Sequence, residues 1–245
     1  MIRIENVTKS FNGQTVLSGI TLEIREGETV VILGASGSGK TVLMNLLVGL
    51  LEPDSGRIMI DGQDVTAFTR DSQWDEVRLK IGFLFQGSAL YDSMTIGENI
   101  SFAIRHHLNL TEEQIRDVVR QKLSMVELEG AEDKMPSELS GGMQKRAALA
   151  RAIALEPQIV VYDEPTTGLD PIRAKTISEL IVRLQHELKI TSIVVTHDLI
   201  CASHVADRLA LLHEGKFLFV GTMEELRRSD NEYVREFLDS SSLRH

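Results

Sequence analysis

The spacing of apolar and polar positions divides the chain into stretches of different period. Ile2–Val7 and Leu17–Ile24 alternate apolar with polar residues, as half-buried strands do, and Thr29–Leu33 is an apolar run of strand length. Lys40–Leu51 then carries apolar residues at helical spacing. Gly56 and Asp61-Gly62 bracket a short strand at Arg57–Ile60, a polar stretch covers Gln63–Lys80, and Ile81–Phe85 reads as another strand. From Gln86 to about Pro157 the period is helical. Thr111 and Gln114 are spaced as a capping box, and Ile115, Val118, Val119, Leu123 and Val126 follow as one apolar stripe. Ser140 is placed to cap a second helix, Gly141–Leu155.

Beyond Pro157 strand and helix alternate. Ile159–Asp163 reads as a strand, and Ile177, Leu180, Ile181, Leu184 and Leu188 form one helical face. Strand Ser192–Thr196, a short helix from Asp198, and strands Arg208–His213 and Phe217–Val220 complete the series. Such alternation predicts a mostly parallel sheet with both faces covered. Residues 230–245 are a polar tail in which Tyr233, Val234, Phe237 and Leu238 sit at the spacing of a short helix.

Length and charge narrow the possibilities. A chain of 245 residues suits one α/β domain with a helical insertion, or two small domains. Lys and Arg total 26 against 36 Asp and Glu, a formal charge of −10 that argues against broad nucleic-acid binding, which needs cations to neutralise phosphates. A single cysteine, Cys201, forms no intramolecular disulfide, as expected in a reducing compartment, and reads as a small buried apolar residue. The first residues lack the basic-then-apolar layout of a signal peptide, and no apolar run approaches the roughly 18 residues of a membrane span. We therefore expect a soluble chain whose link to any membrane runs through a partner.

The strongest chemical signal is Gly34-Ala35-Ser36-Gly37-Ser38-Gly39-Lys40-Thr41, which fits G-x-x-x-x-G-K-[ST] between a predicted strand and a predicted helix. Glycines let backbone N–H groups curl around phosphate oxygens where a Cβ would obstruct them. The helix N-terminus adds partial positive charge, Lys40 can reach β- and γ-phosphates, and Thr41 offers a hydroxyl to Mg²⁺. Chance produces the pattern in roughly one chain in a hundred of this length. The strand Ile159–Asp163 delivers Asp163 to its carboxyl edge, where open α/β sheets bind ligands, and Glu164 follows. Asp163 would hold the metal and Glu164 would polarise an attacking water. Alone, an acid ending a strand would mark only a turn; beside the glycine loop it points to hydrolysis of a bound nucleotide. Leu139-Ser140-Gly141-Gly142-Met143-Gln144 is a second anion site in form, an N-cap with unobstructed N–H groups. By itself it would be a cap with a flexible turn.

Gly34–Thr41, Gln86, Leu139–Gln144, Ile159–Glu164, Gly168-Leu169-Asp170 and His197 occur in the order and approximate spacing of ATP-binding cassette (ABC) ATPases, and the chain resembles that family from Met1 to about Leu226. The resemblance implies an α/β fold: a P-loop NTPase (RecA-like) core, an N-terminal antiparallel β subdomain and an inserted α-helical subdomain. The ATPase domain would cover residues 1–229, with the insertion at about 87–157. It further implies a head-to-tail homodimer in which each ATP lies between one chain's residues Gly34, Ser36, Gly37, Ser38, Gly39, Lys40 and Thr41 and the other chain's Ser140, Gly141 and Gly142. Thr41, Gln86 and Asp163 would hold Mg²⁺, Glu164 would act as general base, His197 would clamp the γ-phosphate, and Asp170 would couple the two sites. By position Phe11 resembles the aromatic that stacks on adenine. Met143 stands where many relatives have Gln, a change expected to tune a helix contact.

The segment Gly87-Ser88-Ala89-Leu90-Tyr91-Asp92-Ser93-Met94 and the run Leu139–Arg146 are similar to the lipid-transport ATPases that work with Mce-domain proteins, above all those of the Mla (maintenance of lipid asymmetry) phospholipid systems of Gram-negative bacteria. Tyr233–Leu238 resembles that group's ending. The resemblance implies a peripheral subunit on the cytoplasmic side of the inner membrane, a multispanning permease partner and an Mce-domain lipid-binding protein. Tyr91, Met94 and Phe102 would line a groove for a permease helix, or else pack within the insertion. An amino-acid-type importer and a soluble, non-transport ABC ATPase are the alternatives.

Overall fold

Thr29–Leu33 forms a strand, β3, whose five residues are all buried, and its side chains divide between two cores. Val31 and Leu33 enter one core and Val30 and Ile32 the other. A central parallel strand has no solvent face, which is why this run is apolar throughout rather than alternating.

The computed structural model describes residues 1–242. Among them, β3 belongs to a six-stranded sheet with β6 (Ile81–Leu84), β7 (Ile159–Asp163), β8 (Thr191–Thr196), β9 (Arg208–His213) and β10 (Lys216–Gly221). The order is β10-β9-β3-β8-β7-β6, parallel except where β10 returns antiparallel along β9. A separate antiparallel sheet joins β1 (Ile2–Phe11), β2 (Gln14–Ile24), β4 (Ser55–Ile60) and β5 (Gln63–Asp64) in the order β2-β1-β4-β5.

The core between the two sheets takes the inward residues of β1, β2 and β4, together with Leu43, Met44, Leu46 and Leu47 of α1 (Lys40–Leu47) and Val77 of α2 (Asp71–Arg78). The core on the opposite face takes α3 (Ile96–His107), α4 (Glu112–Met125), α5 (Gly141–Ala152), α6 (Pro171–Leu188) and α7 (Leu199–Val205). Leu226 of α8 (Met223–Arg227) and Val234 and Phe237 of α9 (Glu232–Ser242) extend that second core. The architecture is the expected one: a RecA-like core, an antiparallel sheet on one side and inserted helices on the other.

Local chemistry explains where element ends depart from expectation. α1 stops at Leu47 because Gly49 takes φ +69° and Leu50 and Leu51 turn back to donate to the Asn45 carbonyl, a left-handed helix stop. The polar stretch conceals α2, held by Trp74 set edge-on to Phe68 at 5.5 Å between ring centroids. Thr111 and Gln114 form the anticipated capping box of α4, and Thr95 and Glu98 form another at α3. Ser140 caps α5. In α9, Tyr233 stacks on His213 with centroids 3.6 Å apart; Leu243, Arg244 and His245, the end of the expected tail, lie outside the described residues. No helix among the described residues is long and apolar enough to cross a membrane.

Candidate active site

β3 runs into residues 34–39, and α1 begins at Lys40, so the loop closes between a buried strand and a helix N-terminus. Gly34 sits against the end of β9: an added Cβ would lie 2.5 Å from the Leu212 carbonyl oxygen and 2.6 Å from Ser38 Oγ. Gly37 needs its glycine differently, having open space but φ +80°. The Lys40 ammonium is curled into the loop, donating to the Gly34 carbonyl at 2.7 Å and the Ala35 carbonyl at 3.0 Å. Burial pushes its pKa down, and the charges of Glu164 and Asp163 oppose that shift. Ser38 Oγ is buried without a hydrogen-bond partner among the described residues, a condition folded proteins seldom leave without a ligand or water to answer it. Loop N–H groups, a helix N-terminus, a cation and this hydroxyl make a cradle suited to phosphate.

The acids arrive from the neighbouring strands. β7 and β8 run parallel with Asp163 opposite Val195, which brings the residues just past both strand ends together. Glu164 there has φ +46°, and its carboxylate is held from three directions. Oε1 lies 2.9 Å from His197 Nδ1, and Oε2 accepts from Thr196 Oγ1 at 3.1 Å and Thr167 Oγ1 at 3.3 Å. Thr196 Oγ1 in turn accepts the Asp198 N–H at 3.0 Å, which leaves its own proton for Glu164. Burial, reinforced by Glu164, raises the Asp163 pKa, while Lys145 and Lys40 pull it down.

Loop and acids face one cleft of about 950 Å³. Ser36, Gly37, Gly39, Lys40 and Thr41 line one wall; Gln86, Asp163, Glu164 and His197 line the other. Among the described residues no group of three His, Cys, Asp or Glu side chains could form a metal cage. Mg²⁺ beside phosphate needs none: it takes one or two carboxylates, neutral oxygens, water and the phosphates themselves. The Thr41 hydroxyl, the Gln86 amide and the Asp163 carboxylate offer that donor set around the one cleft.

The remaining anticipated residues lie elsewhere. Ser140, Gly141 and Gly142 are absent from the cleft wall of their own chain. Ser140 Oγ caps α5, a Cβ on Gly141 would meet only Leu169 at 3.9 Å, and one on Gly142 only Arg173 at 3.5 Å. Both positions have room for alanine, so nothing among the described residues requires glycine there. Asp170 is the N-cap of α6, accepting from Ile172 N and Arg173 N, and its Oδ2 pairs with Arg173 at 3.3 Å. Phe11 is 40% exposed at the end of β1 with the Lys9 ammonium 5.3 Å from its ring centre; Val16, not Phe11, lines the cleft.

Three features of the site escape sequence reasoning. Thr167 and Thr196 orient Glu164, but a lone hydroxyl near a strand end carries no pattern. Lys145 is buried beside the acids, with nothing but its place in an alanine-rich helix to mark it. Tyr233, Glu236, Phe237 and Ser240 of α9 border the cleft; the spacing of Tyr233, Val234, Phe237 and Leu238 predicts a short helix there but not where it lies.

Comparison with known proteins supplies the family. The ABC transporter profile matches residues 17–167. The intermembrane phospholipid transport system ATP-binding protein MlaF of Haemophilus influenzae is 42% identical over 242 residues, covering 99% of this chain and 91% of that protein. The probable ribonucleotide transport ATP-binding protein mkl of Mycobacterium leprae is 42% identical over 238 residues, covering 97% of this chain and 68% of its own length. Among solved structures, the dimeric post-hydrolysis state of the ATP-binding cassette MJ0796, bound to ADP and Pi, superposes with a TM-score of 0.82 at 33% identity, covering 91% of this chain and 99% of that one. The chain belongs to the ABC transporter family and is an ATPase of that family.

Proposed function

We propose that the chain powers phospholipid movement through a separate multispanning permease, bound peripherally on the cytoplasmic side of the inner membrane and served by an Mce-domain lipid-binding protein. The observation that carries this reading is identity at 42% to MlaF across nearly the whole of both chains. The exposed rings that follow Gln86 support it: Tyr91 (48% exposed) and Phe102 (37%) lie 5.3 Å apart, and His106 continues the row at 4.6 Å. An aromatic row joined by a short segment to the cleft suits a docked apolar helix.

In this reading two copies bind head to tail, and each ATP lies between one copy's Gly34–Thr41 loop and the other's Ser140–Gly142. The spare room at Gly141 and Gly142 supports the arrangement, because the demand for glycine then comes from outside the chain. Loop N–H groups and Lys40 bind the β- and γ-phosphates. Thr41, Gln86 and Asp163 would hold Mg²⁺, whose charge would offset that on the phosphate oxygens. Glu164 takes a proton from water as the water oxygen bonds to the γ-phosphorus and the bond to the ADP oxygen breaks. His197 donates Nδ1–H to Glu164 and, in the form that also carries a proton on Nε2, donates that N–H to the γ-phosphate. Asp170 couples the two sites through the helix it caps, and Phe11, exposed at the strand end, is available to adenine.

The test is reconstitution of the purified complex in liposomes, following labelled phospholipid beside a panel of ribonucleotides, amino acids and sugars. ATP-dependent lipid movement is the expected result. Movement of a small polar solute with none of lipid would overturn the cargo and leave the ATPase standing.

A further inference from the structure

Segment 86–95 leaves the cleft at Gln86 and reaches the aromatic row at Tyr91, and its backbone is held almost entirely by side chains of the inserted helices. Lys145 of α5, 4% exposed, donates its ammonium to the Gln86 carbonyl. Arg151, six residues further along the same helix, forks onto the next part of the segment: Nη2 donates to the Ser88 carbonyl at 2.8 Å and Nη1 to the Ala89 carbonyl at 2.6 Å. Ser88 and Ala89 are consecutive non-glycine residues in the left-handed region, φ +63° and +49°. A conformation of that kind persists only where its surroundings over-determine it. The arginine fork does so here, with the Ser88 N–H closing a turn onto Phe85 at 2.9 Å. Asn99 of α3, fully buried, then holds the far end, donating to the carbonyls of Tyr91, Met94 and Thr95 and accepting the Tyr91 N–H.

Among the described residues, neither cation has a carboxylate as hydrogen-bond partner. Burial lowers the pKa of both, and for Lys145 the charges of Asp163 and Glu164 oppose that shift across the cleft wall. Lys145 is buried and Arg151 half-buried, so segment carbonyls supply much of their solvation, and separating helix from segment would strip these charges of groups that replace water. α5 is stiff along this length: Ala147, Ala148, Leu149 and Ala150 are all fully buried, and its first turn is Ser140–Gly142. One unbroken helix thus carries at its start the glycines proposed to close on a partner's nucleotide, and along its length the cations that grip Gln86–Ala89.

We propose that Lys145 and Arg151 are positioning residues that make segment 86–89 travel with α5, so that Gln86 is seated in its own cleft by the helix whose first turn caps the partner copy's nucleotide. Occupancy of one site then governs the geometry of the other, and the aromatic row moves with both. This rests on the assignment of Gln86 to the catalytic site, which the experiment tests separately.

The experiment measures steady-state ATP hydrolysis by the full chain with Lys145→Met, Lys145→Arg, Arg151→Gln, Arg151→Lys and Gln86→Ala. Lys145→Met and Arg151→Gln should lower kcat about tenfold or more with the KM for ATP changed less than about twofold, because Gln86 is misplaced while the phosphate cradle is intact. Lys145→Arg, which keeps charge and donors, should recover most of the rate; Arg151→Lys, which keeps charge but loses the fork, should not. Should Lys145→Met or Arg151→Gln fail to fold, the contrast between the two charge-conserving variants carries the test. Amide hydrogen exchange in the Glu164→Gln background adds a second readout. With ATP present, residues 141–145 should stay protected in Arg151→Lys while residues 87–91 lose protection. Rates within twofold of wild type in the Lys145 and Arg151 variants, or unaltered protection of 87–91, would overturn the clamp. If Gln86→Ala itself leaves kcat unchanged, the assignment of Gln86 fails instead.

Discussion

The imidazole Nδ1 of His197 lies 2.9 Å from Glu164 Oε1, joining the residues that follow two adjacent parallel strands. The contact fixes which histidine nitrogen faces the acid and which is left for the cleft. Glu164→Gln keeps the shape of this contact but removes the proton acceptor. ATP binding should persist while turnover falls at least about a hundredfold, within the range of general-base effects. Lys40→Ala should instead weaken nucleotide binding itself. Equilibrium nucleotide binding beside single-turnover hydrolysis separates the two; near-normal hydrolysis by Glu164→Gln would remove Glu164 from the role.

Two glycines of similar appearance should respond oppositely to alanine. Gly34→Ala forces a Cβ to 2.5 Å from the Leu212 carbonyl oxygen, an overpacking expected to cost about 1–3 kcal/mol of stability. Gly142→Ala meets only the Arg173 side chain at 3.5 Å and lies in a helix, where alanine is favoured by up to about 1 kcal/mol. Its thermal midpoint should hold or rise while ATP-driven dimerisation and turnover fall. Melting curves with light scattering decide; a Gly142→Ala chain that dimerises with ATP and hydrolyses it normally would exclude that turn from the partner's nucleotide.

A charge placed on the exposed row should separate hydrolysis from transport. Tyr91→Glu or Phe102→Glu alters rings that are already half solvated, so stability should change by less than about 0.5 kcal/mol and the isolated chain should keep its ATPase. Against an apolar helix the same carboxylate is buried unpaired, and the complex should lose assembly or lipid movement. Normal coupling in both variants would put the permease contact elsewhere.

The Cys201 thiol, buried next to charged Asp198 and Glu164, is pushed up from 9.0 to about 11, chiefly by burial. Between those values the unfolded chain releases a proton that the folded chain retains, so stability should decline as pH rises through that window. Cys201→Ala should flatten the decline. The native thiol should also resist alkylation at pH 8 and react once the chain is unfolded, as buried cysteines do.

How much was legible depended on whether a residue's role left a local pattern. β3, β7 and β9 could be bounded from sequence because a fully buried strand is a continuous apolar run cut off by glycine, acid or histidine. The glycine-rich loop between β3 and α1 was legible because its glycines answer backbone requirements at fixed offsets. α2 was hidden because its hold on the core rests on Trp74 and Val77, too few to set a period. Lys145, Arg151, Thr167 and Thr196 were hidden for another reason: each acts on backbone or carboxylate brought near by sheet register or helix packing, and no sequence interval encodes that meeting.

α9 has a practical consequence for handling the protein. Ser240 borders the nucleotide cleft, whereas Ile2 pairs with Ile24, at the opposite end of β2 from the cleft-lining Val16. A peptide grafted beyond α9 is therefore tethered to an element that borders the cleft and meets it at an effective concentration fixed by the tether rather than by the solution. Acidic carboxyl-terminal fusions should act as intramolecular competitors for the phosphate loop, raising the apparent KM for ATP. The same peptide fused before Met1 should leave it unchanged.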